Sequence, residues 1–358
     1  MAGTRLKSSQ RIVFSYESIL GGFFCLFGLS FGSFLNVCIH RLPRRIMLLD
    51  ERDELLRSQA DASRIEHVNQ QLRALLISRT RSRCPHCKQG IAWYDNIPVL
   101  SWLLLRGRCR ACRGPISPRY IAVELLTGAL FVACYFGFDD IWVAARFCAL
   151  SFFLVGLVFT DAEWKLLPDA LTLPGLAVGL ISSIFVPVRD LTLRALVPAA
   201  RVSTGLAGPQ THASWRLLSL AQSALGAFAG AAFIYGAGVL YMRMRSDLRE
   251  RGQAAMGLGD VKLMAMIGAF LGLTLTVVTM FVASITGSLF GVFVVLRVWL
   301  KRRQREHLRT APPGHAWQSA LVAFRHFQVP FGVFLGSAAL FAAFFGDALV
   351  RWYAGLFG

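Results

Sequence analysis

The sequence predicts an all-α polytopic membrane protein of about eight transmembrane helices, with a small cytoplasmic zinc-binding domain inserted after the first helix. Three observations support this fold class. The 358 residues are 55% hydrophobic and only 16% charged, whereas soluble domains carry about 25% charged residues. Their mean hydropathy is +0.53, and the apolar runs are long enough to cross a bilayer. Four cysteines cluster in a polar segment after the first run.

The apolar runs predict eight spans, because each is close to the length of helix that a bilayer requires. The sixth is short and contains glycine, so the sixth and seventh together are compatible with one tight hairpin. The predicted spans cover residues 13–38, 119–138, 140–160, 170–187, 217–242, 261–275, 277–299 and 329–349.

The formal net charge of +18 does not indicate nucleic-acid binding, because the basic residues lie between apolar runs. That distribution is how positive charge fixes orientation in a membrane. If the eight spans alternate, the basic segments 40–118, 242–251 and 297–308 share one side, which is then cytoplasmic. The loop 188–216 would lie on the other side.

The N-terminal region resembles a secretory signal only in having basic residues before an apolar run. The run from about Ile12 to Ile39 is too long for a signal peptide and lacks a suitably placed cleavage site. It predicts a retained transmembrane helix. The segment 40–118 that follows is polar, and within it residues 50–79 have the periodicity of an amphipathic helix.

Two C-x-x-C pairs, Cys84–Cys87 and Cys109–Cys112, are separated by 21 residues. Four thiolates are the tetrahedral set that a closed structural zinc site prefers. Two disulfides are the alternative in an oxidising compartment, but the orientation argument places the segment in the reducing cytoplasm. The other four cysteines lie in or near spans and are predicted to be buried apolar residues.

Two carboxylates lie at the ends of predicted spans, Asp161 after the third and Asp260 before the sixth. Carboxylates at membrane depth are functional candidates. Helix capping is an alternative for Asp260, because it begins its helix. It does not explain Asp161, because the dipole at a helix C-terminus disfavours negative charge. Asp169, which follows Pro168, is predicted to be a cap.

Two carboxylates that face one another would suit acid–base activation of water, since their repulsion leaves one proton on the pair. The ionised carboxylate would deprotonate water, and the protonated one would donate to the scissile carbonyl. Gly257 and Gly259 would give an extended peptide room to approach, although a flexible loop end is an equally simple explanation. Lys165 and Lys262 are the neighbouring supporting cations.

These motifs together resemble the bacterial type IV prepilin peptidase family. The Gly257-x-Gly259-Asp260 motif and the segment from Asp161 to Asp169 resemble its two catalytic regions. The stretch Gly32-Ser33-Phe-Leu-Asn36 through Arg41-Leu-Pro43 resembles its first-helix signature, and the two cysteine pairs resemble its zinc-bearing domain. Arg119, Tyr120 and Glu124 continue the match, as does Val329-Pro330-Phe331-Gly332.

The resemblance implies an aspartyl endopeptidase of the bacterial inner membrane whose catalytic Asp161 and Asp260 face the cytoplasm. Its substrates would be type IV prepilins or type II secretion pseudopilins. It also implies N-methylation of the new N-terminus with S-adenosylmethionine, for which Gly32, Ser33, Asn36 and Arg41 are candidate cofactor-binding residues. Helix packing explains the first two equally well, and a cytoplasmic anchor explains Arg41.

The resemblance also implies three regions: the first helix (1–39), a zinc-binding, methyltransferase-associated domain (40–118) and a peptidase domain (119–358). The loop 188–216 and the stretch 300–328 depart from the family pattern. Three other functions stay open: a Gly-x-Gly-Asp protease of the presenilin or signal-peptide-peptidase type, a transporter that moves cations or protons past the two aspartates, and a non-catalytic assembly factor.

Overall fold

A computed structural model describes residues 2–59, 61–76, 82–188, 212–244, 257–307 and 330–356. These residues are mostly α-helical and include no β-strand, although much of 82–118 forms turns and irregular chain. The predicted loop 188–216 and the stretch 300–328 lie largely outside these residues. The described α-helices are α1 (Ala2–Arg57), α2 (Ala62–Ala74), α3 (Leu100–Leu104), α4 (Arg119–Gly137), α5 (Ile141–Trp164), α6 (Asp169–Phe185), α7 (His212–Met244), α8 (Leu258–His307) and α9 (Phe331–Ala354).

Six of these helices are long and apolar enough to cross a membrane: α1, α4, α5, α7, α8 and α9. Helix α6 is a shorter apolar helix. Helix α8 contains both the sixth and the seventh predicted span, interrupted at Gly272, where φ is 76° and ψ is −179°. The all-helical membrane architecture predicted from the sequence is therefore confirmed.

Helix α8 reverses direction at Gly272. A Cβ placed on Gly230 of α7 would lie 2.7 Å from Met264 O and 3.2 Å from Thr276 Cγ2. These two residues are 12 positions apart, which in a straight helix corresponds to roughly 18 Å. The two parts of α8 therefore form a hairpin against α7, and a positive φ at the turn is a conformation that favours glycine.

The Gly272 break leaves helical carbonyl groups that are satisfied by a buried arginine. Arg146, in the first turns of α5, donates to the carbonyl oxygens of Ala269 and Phe270 at 3.0 and 3.1 Å. It also donates to Val186 O at 2.9 Å, just beyond the end of α6. A buried polar group without a partner is costly, so this cation stabilises three chain segments at one end of the helix bundle.

The polar segment after the first span differs in detail from its prediction. Helix α1 continues through Pro43 to Arg57, so the predicted helix over 50–79 is in fact the end of α1 followed by the separate helix α2. The chain turns between them at Gln59, whose φ is 51°. A short 3₁₀ helix, Trp93–Asn96, and α3 then lie between the two cysteine pairs.

The core lies where α5, α6, α8 and α9 pack together. Its fully buried side chains include Leu154, Met266, Ile267 and Leu335. A smaller cluster joins α1, α4 and α5 through Leu35, Ile39, Val123 and Val155. These two clusters hold the helix ends that carry the candidate site.

Candidate active site

Asp161 lies in the last turn of α5 and is only 5% exposed. The helix ends at Lys165, which has a left-handed φ of 53° and whose backbone N–H donates to Asp161 O at 2.9 Å. The position at the C-terminal end of a helix agrees with the sequence argument that capping does not explain this carboxylate.

The partner of the Asp161 carboxylate is the N-terminus of α9. The backbone N–H of Val333 donates to Asp161 Oδ2 at 3.1 Å, and the N–H of Gly332 donates to the same carboxylate. The charge of Lys165 also acts on Asp161. Backbone donors at a helix N-terminus favour a negative charge, so they offset part of the cost of burying this carboxylate.

Gly332 is required for the close approach between α9 and Asp161. A Cβ at this position would lie 2.9 Å from Asp161 Oδ2 and 3.2 Å from Leu167 Cδ2. Real Cβ atoms essentially never approach other atoms to within 3.0 Å. Gly332 and Val333 are not among the site residues predicted from the sequence, although the Pro330-Phe331-Gly332 motif is a signal that points to them.

Asp260 lies in the first turn of α8, close enough to Asp161 for their negative charges to interact. Its backbone N–H donates to Gly257 O at 3.1 Å.

The two predicted glycines, Gly257 and Gly259, differ in role. A Cβ on Gly259 would lie 2.9 Å from Leu167 Cβ, whereas the exposed Gly257 has only more distant neighbours. Gly259 therefore allows α8 to approach the segment that follows α5.

Two ion pairs surround the carboxylate pair. Lys262 Nζ lies 2.7 Å from both carboxylate oxygens of Asp169. The prediction that Asp169 caps α6 is wrong: Pro168 is the N-cap residue, and the Asp169 side chain binds Lys262 because α8 packs beside α6. The second pair joins Arg119 of α4 to Glu163 of α5. Helices α4, α5, α6, α8 and α9 thus meet at one end of the molecule.

The four predicted metal ligands, Cys84, Cys87, Cys109 and Cys112, come together with all their Sγ atoms within 4.8 Å of one another. The Sγ atoms of Cys84 and Cys112 are 3.8 Å apart. A tetrahedral zinc with Zn–S distances of about 2.3 Å places its sulfur ligands about 3.8 Å apart. The spacing fits zinc and is much longer than a disulfide bond, which is about 2.05 Å.

The loop between the cysteine pairs is held by two polar contacts. Arg110 Nη2 lies 2.6 Å from Asp95 Oδ1, and this hydrogen bond holds the pKa of Asp95 below its usual value. The second contact runs from the backbone N–H of Val99 to Glu124 Oε2 at 2.8 Å. Val99 forms a γ-turn, with φ 61° and Leu100 N–H donating to Pro98 O at 2.5 Å, which is rare and strained for a β-branched residue.

The candidate cofactor residues of α1 lie against α4. A Cβ on Gly32 would be 2.7 Å from Glu124 Cα, so this glycine serves close helix packing. Asn36 Nδ2 donates to Tyr120 O at 2.9 Å, and both Ser33 and Asn36 hydrogen-bond to the Glu124 carboxylate. Arg41 lies one turn further along and donates to Leu76 O at 3.1 Å. From the sequence, Glu124 is recognised only as a residue that matches the family. In the structure, its side chain connects α1, α4 and the cysteine loop.

Comparison with known proteins agrees with this arrangement. Two family descriptions match the chain: the bacterial peptidase A24 N-terminal domain over residues 26–138 and the type IV leader peptidase family over residues 148–292. A prepilin leader peptidase/N-methyltransferase of Aeromonas hydrophila is 35% identical over 328 residues, which cover 92% of this chain and 91% of that protein. The chain belongs to the type IV leader peptidase family.

Other relatives of the same name support this membership. The protein of Legionella pneumophila is 32% identical over 335 residues, covering 92% of this chain and 93% of that protein. The protein of Klebsiella pneumoniae is 36% identical over 261 residues, covering 72% of this chain and 87% of that protein. No solved structure matches the chain. The first match ends just after α4 and the second begins inside α5. Asp161 and Asp260 therefore both lie in the leader peptidase region, and the four cysteines lie in the N-terminal region.

Proposed function

We propose that this chain cleaves the leader peptides of type IV prepilins or type II secretion pseudopilins, with Asp161 and Asp260 as the catalytic pair, and then N-methylates the new N-terminus with S-adenosylmethionine. The observation that carries the proposal is that Asp161 and Asp260, 99 positions apart in sequence, lie at one end of a membrane helix bundle. The side chain of Leu167 lies against Gly259, next to Asp260, and against Gly332, which lies against the Asp161 carboxylate. The names of the relatives support the substrate class and the second activity.

The surroundings of the two carboxylates assign them different roles. Asp161 receives backbone N–H groups from the start of α9, which favour its ionised form, so it acts as the general base toward water. Asp260 lies in the field of that charge and holds the shared proton. Water loses a proton to Asp161 and attacks the scissile carbonyl, while Asp260 donates to the carbonyl oxygen. The proton on Asp161 then passes to the leaving amine as the C–N bond breaks, and Asp260 takes a proton back from the intermediate as the carbonyl group re-forms.

The active site would face the cytoplasm of a bacterial inner membrane. The end of the bundle that carries the carboxylates also carries basic residues from several elements, including Arg44 beside Trp164, Arg119, Lys165 and Lys262. The cysteine loop is attached at the same end through Glu124. Positive charge of this kind marks the cytoplasmic side of a membrane protein.

The four cysteines would hold a structural zinc ion, which fixes the loop because all four coordination positions are taken by thiolates. For S-adenosylmethionine, the junction between α1 and α4 offers hydrogen-bond acceptors that fit its cationic groups. Asn36 is 3% exposed, and its Oδ1 is a buried acceptor with no hydrogen-bond partner among the described residues. With the nearby Glu124 carboxylate, it could accept the ammonium group or face the sulfonium of that cofactor.

A reconstituted assay tests the proposal. The purified chain in nanodiscs is incubated with a synthetic prepilin segment and S-adenosylmethionine, and mass spectrometry reports the cleavage site and the methyl group. Asp161→Asn and Asp260→Asn are expected to abolish cleavage while thermal stability and zinc content are retained. Asp347→Asn, an exposed carboxylate near the far end of α9, is the matched control and should cleave normally. Full activity of either dyad variant would refute the pair, and cleavage without methylation would refute only the second activity.

A further inference from the structure

The loop between the two cysteine pairs presents large apolar side chains outward. Trp93 is 81% exposed and Leu104 is 73% exposed. We call the set the apolar surface of the cysteine loop, and its members are Trp93, Tyr94, Leu100, Leu103 and Leu104. In a segment that lies outside the spanning helices, such a group of exposed aromatic and leucine side chains indicates an interaction site.

The local structure fixes this surface in its outward orientation. Leu100, Leu103 and Leu104 share one face of α3, because residues three and four apart are neighbours on a helix. Trp102 points elsewhere: its ring packs on Gly107, where an added Cβ would lie 2.9 Å from Trp102 Cζ2. The Trp102 side chain is therefore partly buried against the loop itself, whereas the three leucines stay exposed and can contact a partner.

The charge around the surface is strongly positive. The described loop, residues 82–118, contains one acidic residue, Asp95, which is bound by Arg110. It contains six basic residues, which are Arg83, Lys88, Arg106, Arg108, Arg110 and Arg113. Arg106 and Arg108 follow the apolar face of α3 directly and are exposed. A partner that covers this surface must accept both leucine and tryptophan side chains and a ring of arginines.

The loop is also held beside a membrane-spanning helix. Val99 N–H, immediately before α3, is bound to Glu124 near the start of α4. The strained γ-turn at Val99 fixes the direction in which α3 leaves this contact. The apolar surface is thus attached next to the start of α4, a helix long and apolar enough to cross a membrane.

We propose that the apolar surface of the cysteine loop inserts into the headgroup region of an anionic lipid leaflet. Trp93 and Tyr94 are of the two residue types enriched at membrane–water interfaces, the leucines of α3 reach the acyl boundary, and the arginines bind lipid phosphates. The loop would then be fixed at three places, by its metal, by Glu124 and by the bilayer. This inference does not depend on the peptidase or methyltransferase activities.

Photocrosslinking of the full chain tests it. Leu104 is replaced by p-benzoylphenylalanine, and the variant is placed in nanodiscs that contain phosphatidylglycerol. Illumination is expected to give lipid adducts at residue 104 by mass spectrometry. The matched control carries the same group at Gln70, an exposed polar position on α2, and should give few adducts. Adducts at 104 should fall when phosphatidylcholine replaces phosphatidylglycerol or when salt is raised, because the arginine contacts are screened.

A measurement on the unsubstituted chain guards against a fold defect in the variant. Nanodiscs that contain a lipid with a photoreactive group at headgroup depth should label peptides spanning residues 93–105. Labelling of these peptides no stronger than that of α2 would overturn the proposal. Crosslinks from residue 104 to an added prepilin segment or to a second copy of the chain, without lipid adducts, would also overturn it and would identify the actual occupant.

Discussion

The backbone N–H of Val333 donates a 3.1 Å hydrogen bond to Oδ2 of Asp161. The two residues are 172 positions apart, and the bond joins the C-terminal end of α5 to the N-terminal end of α9. Backbone donors cannot be removed by side-chain substitution, and they do not titrate. The contact therefore favours the charged carboxylate over the neutral one and holds it in a fixed orientation, as a general base would require.

Gly332→Ala tests this contact. Its Cβ would lie 2.9 Å from Asp161 Oδ2 and 3.1 Å from Cγ, so either the carboxylate or α9 must move. Because a displacement of about 1 Å at a reacting group can cost about 100-fold in rate, leader cleavage should fall by about that factor with little change in zinc content. Gly236→Ala is the control, since nothing lies within 4 Å of an added Cβ there. Equal cleavage rates for the two variants would contradict the role of Gly332.

Asp169→Asn distinguishes the third acidic residue from the proposed pair. The Lys262–Asp169 contact is partly exposed on both sides, and such pairs contribute about 0.2–1 kcal/mol. Cleavage should therefore fall by less than about tenfold, against complete loss for Asp161→Asn. Lys262→Met should have a similarly small effect, and the double variant should be no worse than either single one. Abolished cleavage in Asp169→Asn would move the catalytic role to that residue.

The sequence was sufficient to predict the helical membrane class and the cysteine cluster, while the catalytic pairing of Asp161 with Asp260 stays a prediction. Each depends on residue type and spacing, or on motifs that identify the helix ends. The Asp169–Lys262 pair was not predictable from the sequence. An aspartate at the start of a helix can either cap that helix or form an ion pair, and only the packing of α8 beside α6 decides which of the two Asp169 does. The Gly332 contact depends on a chain segment 171 residues from Asp161, which no local pattern encodes.

The division between α1 and α2 shows a second limit of sequence reasoning. The hydrophobic periodicity continued through residues 50–79, so it predicted one helix. The turn at Gln59 contains neither glycine nor proline, and the usual signals of a helix end are therefore missing. Helix α1 also continues past Pro43, although a proline inside a helix removes a backbone hydrogen bond.

Cys84→Ser should remove the metal from the cysteine cluster. Four thiolates complete the tetrahedral site. In the variant only three thiolates remain, and the buried position of Cys84 has no other thiolate to fill it. Metal analysis is expected to give about one zinc per wild-type chain and much less for the variant. Cys25→Ser, which changes a free cysteine of α1 outside the cluster, should retain the metal. A wild-type preparation that is folded and metal-free would refute the zinc site.

Glu124→Leu should release the cysteine loop from α4. Val99 N–H would lose its acceptor, and a hydrogen bond to a charged group contributes about 1.5–3 kcal/mol. Hydrogen exchange of peptides covering Val99 should therefore accelerate by at least about tenfold. Glu124→Gln keeps an acceptor oxygen of the same reach and should exchange nearly as slowly as the wild type. Equal acceleration in both variants would mean that the charge of Glu124, and not the hydrogen bond to Val99, holds the loop.

Arg146→Met should destabilise the end of the bundle opposite the carboxylates. Methionine fills similar space but donates no hydrogen bond, so the carbonyls of Val186, Ala269 and Phe270 would lose the donors that Arg146 supplies. A buried polar group left without a partner costs about 1–3 kcal/mol, although Ser223 still donates to Ala269 O at 2.6 Å. The melting temperature of this variant in detergent should fall clearly. The melting temperature of Arg146→Lys should fall less, because lysine has a shorter reach but keeps hydrogen-bond donors. Unchanged melting of the methionine variant would show that these carbonyls find other partners and that the Gly272 hairpin does not depend on Arg146.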